Sequence, residues 1–264
     1  NKSLSRFPDY IEALVKLNVR RGQTLVAIGG GIIQDITCFL AATMMRGLPW
    51  VFYPTTLLAQ SDSCIGSKSS INLGNIKNIL GTFTPPEGIV VDVDFLQTLK
   101  KKEIYSGAGE MIKMHAIDSP ESFDKIASSY EEIIANFDIM ERFIYNSLVM
   151  KKRLIEIDEF DTGPRNVMNY GHSFGHAIEV ATNYEIPHGI AVTIGMDIAN
   201  FIAAEFGISN RENFERMHDV LHKNCSTYRY VDIDQKLMMN ALSKDKKNSA
   251  KQLGLILPDI DGCI

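Results

Sequence analysis

The sequence predicts an α/β domain followed by an all-helical domain, and three observations predict it. Short apolar runs that stop at glycine or proline recur in the first hundred residues, the pattern of a parallel sheet. Beyond Lys100, apolar residues recur at helical spacing over long stretches. Between the two, Thr98-Leu99-Lys100-Lys101-Lys102 forms a polar junction. The expected domains are therefore 1–99 and 100–264.

Residues 7–17 carry apolar groups at helical spacing. Thr24-Leu25-Val26-Ala27-Ile28 reads as a buried parallel strand, and Gly29-Gly30-Gly31 turns it into a helix that begins near Ile32. A second strand, Trp50-Val51-Phe52-Tyr53, stops at Pro54, and Thr55 and Thr56 follow. Gly88-Ile89-Val90-Val91-Asp92 reads as a third. Residues 62–78 gather Asp62, Lys68, Asn72, Lys77 and Asn78 among small residues, either as a solvated loop or as a surface for an anionic polyol. The helical domain shows periodic stretches at 122–136, 140–157, 171–181 and 191–206, and residues 253–258 read as a short closing strand. A dinucleotide-binding α/β unit opens with strand, helix, strand. This chain starts inside that order, so it is expected to be a fragment without the first βαβ portion.

Composition narrows the function classes. Of 264 residues, 45% are hydrophobic and 22% charged, which suits a globular protein. A net charge of -5 argues against a nucleic-acid binder. No apolar run is long enough to span a membrane, and the first residues lack a signal-peptide layout. Cys38, Cys64, Cys225 and Cys263 are too scattered for a zinc ribbon or a dithiol site and read as buried or partly buried reduced thiols. Cytoplasmic residence is the default expectation.

Chemistry-bearing residues cluster in a few places. The Gly29-Gly30-Gly31 turn, with Asp35 after it, offers backbone N–H groups at a helix start, which suit a phosphate. Thr55 and Thr56 present hydroxyls at a strand end, for a ligand or for capping the next helix. Glu110 and Lys113 share a helix face after Gly107-Ala108-Gly109, where a lone glutamate is ordinarily an exposed first-turn carboxylate. The strongest signal is His172-x-x-x-His176, with His188 twelve residues on. Two histidines at i, i+4 can converge, and a third imidazole with Glu110 would complete a catalytic zinc site with one position open. His218 and His222 have the same spacing, but charged neighbours make that segment read as a solvated helix.

These segments resemble dehydroquinate synthase and the related sugar-phosphate cyclases over essentially the whole chain. The resemblance is carried by Gly29-Gly30-Gly31-Ile32-Ile33-Gln34-Asp35, by residues 41–47, by Pro54-Thr55-Thr56-Leu57-Leu58-Ala59-Gln60-Ser61-Asp62-Ser63 and by Lys77-Asn78. It continues through Gly109-Glu110-Met111-Ile112-Lys113 and residues 165–179, Arg165 to Glu179. It implies an NAD-binding α/β domain and a helical metal-binding domain, with NAD and zinc or cobalt as cofactors. It implies a lyase that converts 3-deoxy-arabino-heptulosonate 7-phosphate to 3-dehydroquinate and phosphate in the shikimate pathway to aromatic amino acids. The route would be transient oxidation, phosphate elimination, re-reduction and aldol closure.

By position, Glu110, His172 and His188 resemble the metal ligands, and His176 resembles a residue of the phosphate and proton chemistry. Asp62, Lys68, Asn78, Lys113, Lys151, Arg165 and Asn169 resemble the substrate set, joined by Lys246 or Lys247. Asp62, Lys113 and Lys151 stand with His176 as catalytic candidates. Gly30, Gly31, Ile32, Asp35, Thr55, Thr56, Lys77, Phe95 and Thr98 resemble NAD contacts. Family members are usually homodimers, and Arg46 resembles an arginine that reaches the partner's site. No nucleic-acid or membrane partner is implied.

Two departures bear on substrate. Family members commonly carry Gly-Gly-Lys-Thr-Gly-Val-Asn where this chain has Gly66-Ser67-Lys68-Ser69-Ser70-Ile71-Asn72. The usual His-Gly-Glu is His188-Gly189-Ile190 here. The alternatives are a cyclase acting on sedoheptulose 7-phosphate or glucose 6-phosphate, a metal-dependent polyol dehydrogenase, or a non-catalytic homologue.

Overall fold

The computed structural model describes residues 2–74, 76–244 and 253–264. The chain forms two compact units, Asn1–Thr98 and Leu99–Ile264.

In the first unit, α1 (Phe7–Lys16) starts with Pro8 in its first turn, where the missing N–H is no loss. Phe7 packs edge-on against Tyr10 and Phe39 in a core with Ile36, Leu40, Met44, Leu48 and Ile71. Strands β1 (Leu25–Gly29) and β2 (Trp50–Pro54) flank α2 (Gly31–Thr43) in sequence. The antiparallel hairpin of β3 (Ile71–Leu73) and β4 (Ile76–Leu80) precedes β5 (Gly88–Ile89). The sheet order is β1-β2-β5, all parallel. Its register pairs Gly29 with Pro54, so the two carboxyl ends lie level and Gly30-Gly31 leaves the sheet beside Thr55-Thr56.

Several expectations need correction in this unit. The β1 run is buried on one face only: Ala27 is inside, whereas Val26 and Ile28 are exposed. The third strand is two residues long. The polar stretch 62–78 is no open loop, because a π-helical turn at Ala59–Ser63 and the β3–β4 hairpin organise it. Ser69 and Ser70, where family members carry threonine and glycine, bond to residues outside the stretch. Ser69 Oγ accepts from Thr82 N at 2.9 Å, and Ser70 N donates to Asp35 Oδ1 at 2.8 Å.

The second unit is helical: α3 (Lys101–Asp118), α4 (Pro120–Ser128), α5 (Tyr130–Ala135), α6 (Phe137–Ile157), α7 (His172–Ala181), α8 (His188–Glu205), α9 (Arg211–Cys225) and α10 (Gln235–Ser243). Side chains mark the starts: Ser119, Asn136, Asn210 and Asp234 accept N–H bonds from the first turns of α4, α6, α9 and α10. The stretch expected as one helix at 122–136 breaks at Ser129 into α4 and α5. α8 is apolar almost all round, so it lies inside, packed by α3, α7 and α9. The segment of His218 and His222 is not simply solvated, since α9 buries Met217, Val220, Leu221 and Asn224. No strand forms at 253–258. All four cysteines are free, and Cys263 is exposed, contrary to expectation. No described helix is long and apolar enough to cross a membrane.

Candidate functional site

Two helix crossings build the site, and glycine permits both. Where α3 meets α8, a Cβ on Gly189 would lie 1.8 Å from the Ser106 carbonyl oxygen, and one on Gly109 would lie 2.2 Å from that of Gly189. Where α7 meets α8, a Cβ on Gly195 would lie 2.1 Å from the Gly171 oxygen. Side chains at these positions would push the helices apart. Ser106 Oγ also accepts the Gly189 N–H at 3.0 Å, which satisfies one of the open donors at the start of α8. The glycines near Glu110 and His172 thus act as packing surfaces.

This close approach brings Glu110 of α3, His172 of α7 and His188 of α8 together. Glu110 is no first-turn carboxylate: it sits in the third turn of α3 and is 1% exposed. Its Oε1 lies 3.4 Å from His188 Nε2 and 3.7 Å from His172 Nε2, while Oε2 lies 2.5 Å from Lys113 Nζ. Both carboxylate oxygens are sealed from solvent and lack a hydrogen bond, so ion-pair contacts alone meet their charge. Burial pushes the Glu110 pKa up. The Lys113 ammonium, with His188 and His172 behind it, overcomes that and holds it well below the usual carboxylate range.

The tautomers of the two histidines are set from behind. His172 Nδ1 lies 3.1 Å from the Tyr170 carbonyl oxygen, and His188 Nδ1 lies 3.1 Å from Glu179 Oε2. An Nδ1–H in each ring turns each Nε2 toward Glu110, where a bound metal would take its lone pair. Tyr170 is itself fixed, donating its hydroxyl to Asn200 in the core. Burial, helped by the Lys113 ammonium, keeps His172 well below the usual imidazole value. Burial also acts to lower His188, but Glu110 and Glu179, one carboxylate facing each ring nitrogen, bring it up to about 10.

These residues fit a metal. A tetrahedral zinc with bonds near 2.0–2.1 Å sets its ligands roughly 3.4 Å apart, close to the 3.4 and 3.7 Å separations from Glu110 Oε1. A buried carboxylate oxygen facing two imidazole Nε2 atoms is a donor set for a divalent cation, which on binding would displace the proton that His188 carries. His176 is the competing third ligand, because nitrogens of His172, His176 and His188 lie within 4.8 Å of one another. His176 is however exposed.

Buried cations stand in the same unit. Lys113 of α3, Lys151 of α6 and Arg165 of the turn Pro164–Asn169 are all buried, and that turn packs on α3 and α6. Arg165 Nη1 donates to the Glu159 carbonyl at 2.8 Å. Asn169 is turned to its neighbour, donating to Asn166 Oδ1 at 2.8 Å. Lys246 and Lys247 lie outside the described residues.

In the α/β unit, Gly30 is the N-cap of α2, with Gly31 and Ile32 opening the helix. A Cβ on Gly30 would come within 3.0 Å of Thr56 Cγ2, so a side chain there would crowd the floor between the strand ends. Thr55 N donates to the Gly29 carbonyl at 2.9 Å, and Thr56 Oγ1 accepts from Ala59 N at 3.2 Å. That bare, level pair of strand ends fits a pyrophosphate of NAD. Asp35 is engaged internally, 2.8 Å from Lys2 Nζ. Asp62 sits in the π-helical turn. Lys68 lies over the Phe83 ring, and Lys77 is exposed on the hairpin, where Asn78 N donates to Asn72 Oδ1 at 3.0 Å. The Phe95 carbonyl accepts from Thr98 Oγ1 at 3.2 Å. Arg46 is exposed at a left-handed turn, φ 66°.

Sequence reasoning passed over Glu179 and Asp158. Glu179 lies seven residues beyond His172, two turns along one helix face, and that spacing was the available signal. Asp158 gave no signal, since three of its four bonds come from backbone N–H groups.

Two family models cover most of the chain: 3-dehydroquinate synthase N-terminal over residues 1–106 and 3-dehydroquinate synthase C-terminal over 107–248. A 3-dehydroquinate synthase of Thermoanaerobacter sp. is 35% identical over 260 residues, 98% of this chain and 73% of that protein. Among solved structures, 2-deoxy-scyllo-inosose synthase complexed with carbaglucose-6-phosphate, NAD+ and Co2+ is similar with a TM-score of 0.89 at 27% identity, covering 99% of this chain and 73% of that one. The 2-epi-5-epi-valiolone synthase of Streptomyces hygroscopicus subsp. jinggangensis, with NAD+ and Zn2+ bound, matches at 0.86 and 25%, covering 99% and 74%.

Proposed function

Because the chain belongs to the 3-dehydroquinate synthase family, we propose that it is an NAD- and zinc-dependent sugar-phosphate cyclase, a phosphate-eliminating lyase that makes 3-dehydroquinate from 3-deoxy-arabino-heptulosonate 7-phosphate. The observation that carries the reading is the buried meeting of Glu110 with His172 and His188, in a unit that also buries Lys113, Lys151 and Arg165. Cationic side chains gathered in one helical unit suit an anionic ligand, and this substrate brings a phosphate and a carboxylate.

Glu110, His172 and His188 would hold zinc or cobalt. When bound, the metal supplies a Lewis acid and NAD a reversible hydride acceptor. The chain's own residues bind and orient. Lys113, Lys151 and Arg165 neutralise the substrate's anionic groups, with Asn169 and either Lys246 or Lys247 adding contacts. His176, the exposed imidazole of the group, is suited to exchange a proton near the departing phosphate. On the α/β unit, Asp62, Lys68 and Asn78 belong to the substrate set. Gly30, Gly31, Ile32, Asp35, Thr55, Thr56, Lys77, Phe95 and Thr98 belong to the NAD set. Arg46 serves the partner subunit in a homodimer.

A second reading, a cyclase for a sugar phosphate without a carboxylate, is favoured by the bonded serines at 69 and 70, where relatives carry threonine and glycine. Purified protein with NAD and zinc is to be offered heptulosonate, heptulose and hexose phosphates, and phosphate release followed. Release from 3-deoxy-arabino-heptulosonate 7-phosphate alone supports the first reading. Release only from a substrate lacking a carboxylate overturns it, and net NADH accumulation indicates a polyol dehydrogenase instead.

A further inference from the structure

α6 ends at Ile157, and the next residue, Asp158, places a carboxylate at a helix C-terminus, where the helix dipole opposes it. Compensation comes from the turn that follows. Oδ1 accepts from Thr162 N at 2.9 Å and from Thr162 Oγ1 at 3.3 Å. Oδ2 accepts from Gly163 N at 2.8 Å and from Arg165 N at 3.2 Å. The Thr162 N–H, with those of Gly163 and Arg165 outweighing desolvation, holds this carboxyl down at about 2.

Arg165 is tied to the same turn at both ends, through its own N–H to Asp158 and through Nη1 to the Glu159 carbonyl. Asp161, Thr162, Gly163 and Pro164 are exposed, yet Arg165 is buried. A mostly solvated turn thus carries one guanidinium inward, toward packing with α3 and α6.

We propose that Asp158 is a positioning residue: its carboxylate gathers the backbone of residues 162–165 and so sets Arg165 for an anionic group of the substrate. This rests on reading Arg165 as a substrate contact. The carboxylate suits the task because both oxygens accept. An asparagine keeps one acceptor and turns an amide toward N–H donors, so it loses part of the bond set.

The test measures KM and kcat for phosphate release from 3-deoxy-arabino-heptulosonate 7-phosphate in Asp158→Ala, Asp158→Asn, Arg165→Ala and the Asp158→Ala/Arg165→Ala double variant. Amide exchange across 159–165 is followed in parallel. Asp158→Ala should raise KM about tenfold, with the double variant within about twofold of Arg165→Ala alone, because both substitutions remove one interaction. Exchange should quicken more in Asp158→Ala, which removes four bonds, than in Arg165→Ala, which removes one. Multiplying effects in the double variant, or a raised KM in Arg165→Ala beside an unchanged one in Asp158→Ala, overturns the inference. An unchanged KM in Arg165→Ala overturns the reading of Arg165 beneath it, while the exchange result still reports whether Asp158 holds the turn. If Asp158→Ala fails to fold, Asp158→Asn gives the same comparison with a smaller rise.

Discussion

Nδ1 of His188 lies 3.1 Å from Oε2 of Glu179, and this contact decides which nitrogen of His188 faces Glu110. A carboxylate behind a ligating histidine fixes the tautomer and makes the other nitrogen a better donor. Position 190, where relatives carry glutamate, is an isoleucine buried in an apolar cluster with Ile178, Ile186 and Ala191. Glu179 is therefore the carboxylate that this chain offers His188 from outside the Glu110 contact. Glu179→Ala should weaken zinc binding by roughly 10–100-fold, as loss of such partners typically does. Glu179→Gln, which still accepts a hydrogen bond, should lose less. Chelator competition measures both, and unaltered affinity in Glu179→Ala would remove this role.

The division of labour among the histidines can be read from metal content. Glu110→Ala, His172→Ala and His188→Ala should each leave the purified protein with less than stoichiometric zinc. His176→Ala should keep its zinc and lose turnover by about 10²–10⁴-fold, the usual scale for a positioned acid–base group. Zinc retained in Glu110→Ala and lost in His176→Ala would exchange the two assignments in favour of a three-imidazole site.

How far the sequence foretold the site follows from what kind of contact makes it. The i, i+4 spacing of His172 and His176 is periodic, so it shows in the sequence, as do the two classes of element. Glu110 was singled out as a candidate ligand, although its place after two glycines ordinarily marks an exposed first-turn carboxylate. Its burial depends on Gly109 and Gly189, which are 80 residues apart and let α3 and α8 touch. The break at Ser129 and the hairpin of residues 71–80 were missed for the same reason. Each is decided by what packs alongside, which local periodicity does not record.

His115 gives a pH dependence. It is buried on α3, beside the Phe143 ring, and its Nδ1 lies 2.9 Å from Ser122 Oγ. Burial lowers its pKa to about 4 from the ordinary 6.5, more than Ser122 raises it. Between those values the unfolded chain binds the extra proton and the folded chain does not, so stability falls as pH drops from 6.5 to 4. The full loss is about 3 kcal/mol, an order-of-magnitude figure from one pKa unit being 1.36 kcal/mol. Denaturant titrations at pH 7 and pH 4.5 should show a stability difference that shrinks in His115→Gln. An identical difference in both proteins would mean that other groups carry it.

Gly189 tests whether helix contact or metal chemistry comes first. A methyl group there would meet the Ser106 backbone oxygen at 1.8 Å, and backbone cannot rotate aside as a side chain can. α3 and α8 must separate, which overpacking data put at about 1–3 kcal/mol or more. The same separation moves Glu110, on α3, away from His188, at the first residue of α8. Gly189→Ala should therefore lower the melting temperature and weaken zinc binding, although residue 189 offers a metal no side-chain donor. Gly88→Ala is the stability control, since a Cβ there meets only Val51 Cγ1, at an ordinary 3.7 Å. A Gly189→Ala protein with lowered stability and unchanged zinc affinity would show that the α3–α8 contact supports the fold without setting the distance from Glu110 to His188.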